Sequence, residues 1–329
     1  MPIADHVRLS PEEARWVIAQ AGRAPSIHNT QPWHFRFDGD AFTLSADTKR
    51  GLSVTDRHGR LMVISCGAAL YNLQLALRQL GLTSTVTRLP DAHDPRQLAR
   101  IRIAPGPQTT PADRAQFEAM LRRHTRRGDF LDRPVSPEVT IRLCQVAAAH
   151  DAVLLYVVQP GTRKTVLHLA REAERLAARD PRVGEEVEQW TPSGRRRDGV
   201  PSRAYPAQRT RDDSESLPLR DFDRGRGIGA LDDSHGPTGP IAVLGTSRNA
   251  EVDWLTAGEA MQAVLVSAAE DWAFAQIDST ITEYPHLVDQ LQVELRTAMR
   301  PQLLMAFGYA GSAPATPRRP VDEIADIDV

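Results

Sequence analysis

Ala24-Pro25-Ser26-Ile27-His28-Asn29-Thr30-Gln31-Pro32-Trp33 joins two segments of different periodicity. Before it, Pro11 to Gly22 has the apolar spacing of an amphipathic helix. After it, His34-Phe35-Arg36-Phe37 alternates as a strand does. The two prolines restrict the backbone and withhold two N–H donors. Ser26, His28, Asn29, Thr30 and Gln31 can all hydrogen-bond. A rigid polar helix-to-strand connection of this kind can hold backbone amides and short side chains toward a ligand. The same residues suit a turn whose side chains satisfy their own backbone. Local chemistry leaves both readings open.

Working outward, Ser10 is an N-cap, Pro11 takes the first helical position and Glu13 completes a capping box. Strands are expected near 33–37 and 41–46, with a turn at Asp38-Gly39-Asp40. Leu61 to Leu80 is the most apolar helix of this part, and Gly81 is its C-cap candidate. Its Cys66-Gly67-Ala68-Ala69 are small enough for another element to pack closely. Thr83–Leu89 and Leu98–Ala104 alternate and are rich in β-branched residues, so they read as strands. Residues 105–111 have linker composition.

Beyond the linker the order partly restarts. Ala112–Arg123 is helical. Ser136-Pro137-Glu138 opens a helix to about His150, repeating the Ser10-Pro11-Glu12 start. Val153–Gln159 reads as a strand and Thr162–Arg179 as a long amphipathic helix. This is compatible with two structurally related halves. Residues 190–240 have few apolar residues and no sustained periodicity, as in a lid or a disordered stretch. Trp190, Tyr205 and Phe222 favour an ordered excursion. Gly225, Gly227 and Gly229 are spaced like a phosphate loop, but no strand leads into them, so a dinucleotide fingerprint is rejected. Ile241–Thr246 is then a strand, Asp253–Phe274 a long helix with Gly258 and Gln262, His286–Met299 a helix and Gln302–Gly308 a buried strand. Residues 314–320 read as a Pro- and Arg-rich tail.

The chain has 329 residues, 41% hydrophobic and 25% charged, which suits one large or two smaller globular domains. A net charge of -2 gives no reason to expect nucleic acid or a membrane surface as partner. Lysine occurs only at Lys49 and Lys164, so an anion site has to be built from arginine. Cys66 and Cys144 match no zinc spacing and form no disulfide framework; buried reduced thiols are expected. No segment is read as a membrane span, and residues 1–10 lack a signal-peptide apolar core, so the expectation is cytoplasmic.

Arg122-Arg123-His124-Thr125-Arg126-Arg127 offers guanidinium forks and a hydroxyl, a set suited to a phosphate. It also suits a solvated basic helix end. Arg318-Arg319 lies between prolines in the tail. The ten histidines are scattered without metal-ligand spacing. No Gly-x-Ser-x-Gly elbow or Cys-His arrangement stands out. Binding groups without an obvious nucleophile or base fit a protein whose cofactor carries the chemistry.

Pro25-Ser26-Ile27-His28-Asn29-Thr30-Gln31-Pro32-Trp33 resembles the Pro-Ser-x-x-Asn-x-Gln-Pro-Trp signature of the FMN-dependent nitroreductase family. Arg123-His124-Thr125-Arg126-Arg127 resembles that family's Arg-x-Ser-x-Arg motif, with Thr for Ser. The Pro-Ser motif precedes the Arg motif here, the reverse of the usual order. That inversion is similar to the Acg-like mycobacterial subgroup, in which two nitroreductase-like halves are fused. The resemblance continues through Ser65 to Leu70, Asp198 to Pro201, Trp254 to Gln262 and Pro317 to Pro320.

The resemblance implies an α+β nitroreductase-like fold with pseudo-symmetric halves, 1–108 and 109–329, and a lid-like excursion at 190–240. It implies one FMN per chain between the halves. Arg123, His124, Thr125 and Arg127, with Arg318 or Arg319, would form the phosphate site. Pro25, Ser26 and Asn29 would line the flavin. Backbone near Asp278 and Ser279 would face its reactive edge, although Ser279 stands where the family commonly has Gly. Glu270-Asp271-Trp272 also replaces a common Gly-Leu. As an enzyme, the protein would pass a hydride from NAD(P)H through FMN to a nitroaromatic or quinone-like acceptor, with no catalytic side chain and no metal. The alternative is an FMN-sequestering protein with a lid and little reductase activity. A monomer or a homodimer is compatible with either.

Overall fold

Helix α1 (Pro11–Ala21) begins as its cap dictates: the Ser10 hydroxyl accepts from the Glu13 N–H at 3.2 Å, and the Glu13 carboxylate accepts from the Ser10 N–H at 2.8 Å. The computed structural model describes residues 8–192, 194–206, 216–229, 239–310 and 315–328. The first part of the chain continues with β1 (Trp33–Phe37), β2 (Ala41–Ala46), α2 (Arg60–Gln79), β3 (Leu82–Arg88) and β4 (Gln97–Pro105). The second part runs α3 (Pro111–Arg122), α4 (Pro137–Ala148), β5 (Val153–Tyr156), α5 (Pro160–Arg179), α6 (Pro181–Gln189), β6 (Ile241–Thr246), α7 (Glu251–Glu270), β7 (Ala273–Asp278), α8 (Pro285–Leu295) and β8 (Arg300–Tyr309). A short α9 (Val321–Ile324) and β9 (Ala325–Ile327) close the described chain.

The architecture is α+β. The strands form a sheet ordered β3-β4-β2-β1-β9 and a second ordered β5-β6-β8-β7. All named pairs are antiparallel except β1 with β9. The order β3-β4-β2-β1 recurs as β7-β8-β6-β5, with α2 and α7 in equivalent places between the strands. Both helices that open these units, α1 and α4, start at a Ser-Pro-Glu whose serine hydroxyl accepts a backbone N–H.

Helices α2 and α7 pack against each other at the centre, and both are apolar on nearly every side, as befits buried helices. Their backbones meet at two glycines. A Cβ on Gly67 would lie 2.2 Å from the Leu255 carbonyl oxygen, and one on Gly258 would lie 2.0 Å from that of Ile64. One turn further on, the buried Gln262 donates to Asn72 at 2.7 Å, and Asn72 donates to the Gln20 carbonyl at 3.3 Å, tying α1 to the pair. By length and composition α2 could cross a membrane, but 89% of its apolar stretch is buried inside the protein. Both cysteines are free thiols, Cys66 buried and Cys144 half-buried.

Several elements depart from the expected pattern; among them β5 ends at Tyr156 rather than Gln159, and α6 is unexpected. The helix expected to reach Phe274 stops at Glu270; Trp272 turns the chain at a left-handed φ of 59°, and β7 begins at Ala273. A short apolar strand directly after an apolar helix carries no change of hydrophobicity to mark it. The helix from His286 ends at Leu295, capped by left-handed Arg296. Beyond the Pro- and Arg-rich tail the chain forms an unexpected strand, β9, that pairs with β1, Phe35 opposite Ala325.

Within 190–240, the described residues are anchored. Val200, Ala204, Tyr205 and Phe222 pack with Val183 and Val187 of α6, and the Tyr205 and Phe222 rings are 5.8 Å apart. Trp190 lies under the guanidinium of Arg50 at 5.2 Å. Residues 193, 207–215 and 230–238 of this stretch lie outside the described residues. The glycine run is closed by its own acid: Gly227, Ile228 and Gly229 donate N–H groups to the Asp223 carboxylate at 2.7, 2.9 and 3.0 Å.

The helix crossing leaves no room for a methyl group. Gly67→Ala or Gly258→Ala is expected to lower stability by at least about 3 kcal/mol in urea denaturation, through overpacking against backbone. Gly161→Ala, where an added Cβ meets nothing within 4 Å, is the control and stays within about 0.5 kcal/mol of the parent.

Candidate functional site

The loop between α1 and β1 is unusually strained. His28, Asn29 and Gln31 all take left-handed φ values, 46°, 55° and 52°. Its hydrogen bonds show what holds it. Ser26 Oγ accepts from the Gln31 N–H at 2.9 Å, and Ser65 Oγ of α2 accepts from the Ile27 N–H at 3.2 Å. Asn29 reaches much further. Its amide nitrogen donates to the carbonyls of Gly199 at 2.9 Å and Pro317 at 3.1 Å, and its oxygen accepts from Arg318 at 3.1 Å. Gln31 donates to the Arg197 carbonyl at 2.9 Å and accepts from the Arg319 N–H at 2.8 Å. The loop therefore joins the excursion and the tail to the first sheet; Ser26, and Gln31 through a 3.4 Å bond to the Asn29 carbonyl, also serve the turn itself.

Helix α3 ends at Arg122, and the following residues extend along the edge of β7. Thr125 bridges Ala275 in parallel, and the Arg126 N–H donates to the Ala275 carbonyl at 2.9 Å. Extended backbone sends alternate side chains to one face. Arg123, Thr125 and Arg127 thus share a face, while Arg126 Nε donates to the Asp129 carbonyl at 2.9 Å. This is the physical content of the Arg-x-Thr-x-Arg spacing.

Two adjoining cavities share Pro25, Ser26, Thr125 and Arg127 and make one groove. The smaller, about 330 Å³, is walled by Asn29, Arg123, His124 and Arg318. The larger, about 820 Å³, is walled by apolar Ile64, Met261, Ile277 and Leu303 from α2, α7, β7 and β8. Asp278, Ser279 and Thr280 close its far end, and Pro218, Leu219, Arg220 and Phe222 of the excursion cover it.

The small end is positive and uncompensated. Among the described residues, Arg123, Arg127 and Arg318 form no ion pair with a carboxylate. Arg123 makes one bond, to the Arg23 carbonyl at 3.3 Å, and its Nε and Nη1 have no partner; Arg318 Nε has none either. Burial, then mutual repulsion, pushes Arg123 down to about 10 and Arg318 to about 9; burial alone pushes Arg127 down to about 10. His124 is also lowered, by burial and then Arg123. His28 is pushed down to about 3 by burial, then by Arg220 and Arg127, so it is neutral. Buried cations without an anion are costly, and a ligand with several anionic oxygens relieves that cost.

Of the expected site residues, Pro25, Ser26, Asn29, Arg123, His124, Thr125, Arg127 and Arg318 line the small end, and Asp278 and Ser279 stand at the far end. Arg319 stands apart. Its guanidinium faces Asp47 at 3.8 Å and Glu323 at 3.5 Å, so of the adjacent pair Arg318 faces the groove. Sequence reasoning did not single out His28, Arg220 or Thr280. His28 lies inside the motif that marked its neighbours, whereas Arg220 lies in a stretch without periodicity.

Arg123 separates binding from folding. Arg123→Met is expected to leave the ligand-free protein as stable as the parent or more so, because an uncompensated buried charge is removed. Inorganic phosphate should raise the Tm of the parent and raise that of the variant less, by differential scanning fluorimetry.

No family profile matches the chain. A Mycobacterium tuberculosis protein with the provisional name NAD(P)H nitroreductase Rv3131 is 32% identical over 327 residues, covering 96% of this chain and 91% of the relative. Another from the same organism, provisionally NAD(P)H nitroreductase acg, is 29% identical over 312 residues, 93% of each. A crystal structure of a nitroreductase with bound FMN from Desulfitobacterium hafniense aligns with 64% of this chain and 95% of its own, at 9% identity and a TM-score of 0.40.

Proposed function

This chain belongs to the nitroreductase family, beside the mycobacterial Acg protein, and from that premise we propose that it binds one FMN in the groove and reduces nitroaromatic or quinone-like acceptors with NAD(P)H. The observation that carries this reading is three guanidiniums, none ion-paired with a carboxylate among the described residues, at one end of an apolar groove. Arg123, Arg127 and Arg318, with the Thr125 hydroxyl and His124, would hold the phosphate. Pro25, Ser26 and the apolar residues of α2, α7 and β8 suit the faces of an isoalloxazine ring, and Asn29 would keep Arg318 in place. The backbone at Asp278 and Ser279 would meet the ring's reactive edge. Bound there, FMN would supply the two-electron chemistry, accepting a hydride from the nicotinamide and passing it on. The chain's own part is to orient, to neutralise the phosphate and to exclude water with Arg220 and Phe222.

The recurring strand order supports reading 1–108 and 109–329 as fused halves, one giving the Pro-Ser loop and the other the Arg segment. The buried α2 and free thiols suit a cytoplasmic protein, with neither nucleic acid nor membrane as partner, monomeric or homodimeric.

A second reading rests on the excursion. Arg220, fastened to Glu283 at 3.0 Å, lines the cavity from the excursion, and on that ground the alternative proposal is that the protein sequesters FMN with little turnover. Anaerobic addition of NADPH or NADH to FMN-loaded protein separates the two. Rapid bleaching of the flavin band is expected for a reductase. A flavin that stays oxidised until Arg220 is replaced supports sequestration, and a chain that takes up no FMN sinks both. Arg123→Ala should weaken FMN binding by about 2 kcal/mol, roughly 30-fold in Kd by fluorescence titration, through loss of a charge-assisted bond.

A further inference from the structure

The far end of the groove holds a cluster that phosphate binding leaves unexplained. Asp278, the last residue of β7, lines the cavity. Its Oδ1 accepts from the Thr280 N–H at 2.7 Å, and its buried Oδ2 has no partner among the described residues. Arg220 reaches in from the excursion. It donates to Thr280 Oγ1 at 2.8 Å and to Glu283 at 3.0 Å, and its Nε lies 3.4 Å from Glu174 of α5. Thr280 Oγ1 in turn donates to Glu174 at 2.5 Å. Three carboxyl groups thus gather around one guanidinium inside the protein. Fully ionised, they outnumber the one guanidinium bonded to them, which a buried wall disfavours.

We propose that Asp278 is the general acid of this groove, and that its free oxygen delivers the proton an acceptor takes up on reduction. This role rests on the reductase reading above. The electrons come from the reduced nicotinamide through the bound flavin. For a quinone, the hydride equivalent leaves one oxygen of the acceptor as an oxyanion. The Asp278 O–H bond then breaks as the new O–H bond forms, giving a hydroquinone and a carboxylate that solvent reprotonates. For a nitro group, one hydride and two protons in all would not balance; one hydride and one proton do, giving the nitroso compound and water.

The surroundings suit the role. Burial, then the charge of Glu174, raises Asp278 to about 6, and burial raises Glu283 to about 8 against the pull of Arg220. From the loop after α1, His28 faces the cluster as a neutral ring. Arg127 lines the same cavity from the second half's edge, Arg60 of α2 acts on Glu283, and Tyr284 follows Glu283 in the chain. A carboxyl that exchanges its proton near neutral pH is what general acid catalysis needs. The sign follows: Asp278 is protonated below about 6, so proton-requiring reduction slows as pH rises through that value.

Asp278→Asn keeps an oxygen for the Thr280 N–H and removes the acid. In cofactor-free protein, an infrared pH titration should show a carboxyl near 6 that the variant lacks. In FMN-loaded protein reduced beforehand, the parent should reduce a quinone more slowly with rising pH. The variant should do so about 100-fold more slowly at pH 5 and without pH dependence. Ferricyanide, which takes electrons without a proton, should lose at least about tenfold less rate in the variant than the quinone does. Should Asp278→Asn not fold, Glu174→Gln serves instead: loss of that charge moves the inflection to lower pH. An Asp278 that titrates as an ordinary carboxylate, or equal losses with quinone and ferricyanide, overturns the proposal while leaving the reductase reading intact. A chain that takes up no flavin removes both, whatever Asp278 titrates at.

Discussion

The contact between Gly67 and Gly258 sets the distance between everything else. Helices pack at a spacing decided by the side chains at their closest point. With none there, α2 and α7 touch backbone to backbone, and the sheet attached to each is drawn toward the other. The groove is what remains between the two sheets beyond that point: Ile64 and Met261, one turn away on each helix, form its floor. A methyl group at the crossing would therefore alter the groove as well as the core. Asn72 and Gln262 fix the rotation of the pair, because a buried amide that turned away would lose its partner.

On this frame charge is distributed unevenly along one groove. Three arginines stand without an ion pair at one end among the described residues, and three carboxyl groups gather about Arg220 at the other. Both ends are destabilising in isolation, in opposite senses. The basic end is relieved by an anion, and the acidic end by keeping a proton. Such local conflicts with stability gather where a protein meets its ligand.

Most of the scaffold was legible because its elements carry strong periodicity and explicit caps. Ser10 and Ser136 start helices where their residue types say they should. β7 was hidden because Ala273 to Asp278 continues the apolar run of α7 without a break. β9 was hidden because Ala325-Asp326-Ile327 is too short to show a period and becomes a strand only against β1, some 290 residues earlier. In the site, the Pro-Ser loop and the Arg segment announce themselves by spacing. Whether Arg318 or Arg319 faces the groove could not be read from neighbouring identical residues; Asp47 and Glu323 decide it by claiming Arg319. Arg220 had no local signal, since its partners lie on α5 and after β7.

The parallel pairing of β9 with β1 imposes an order on biosynthesis. Until residues 315–328 leave the ribosome, one edge of the first sheet is bare and Asn29 has no Arg318 to receive. Ribosomal exit therefore supplies the third guanidinium and the edge strand together. A nascent chain that lacks residues 315–328 cannot bring all three guanidiniums to the groove, by topology alone.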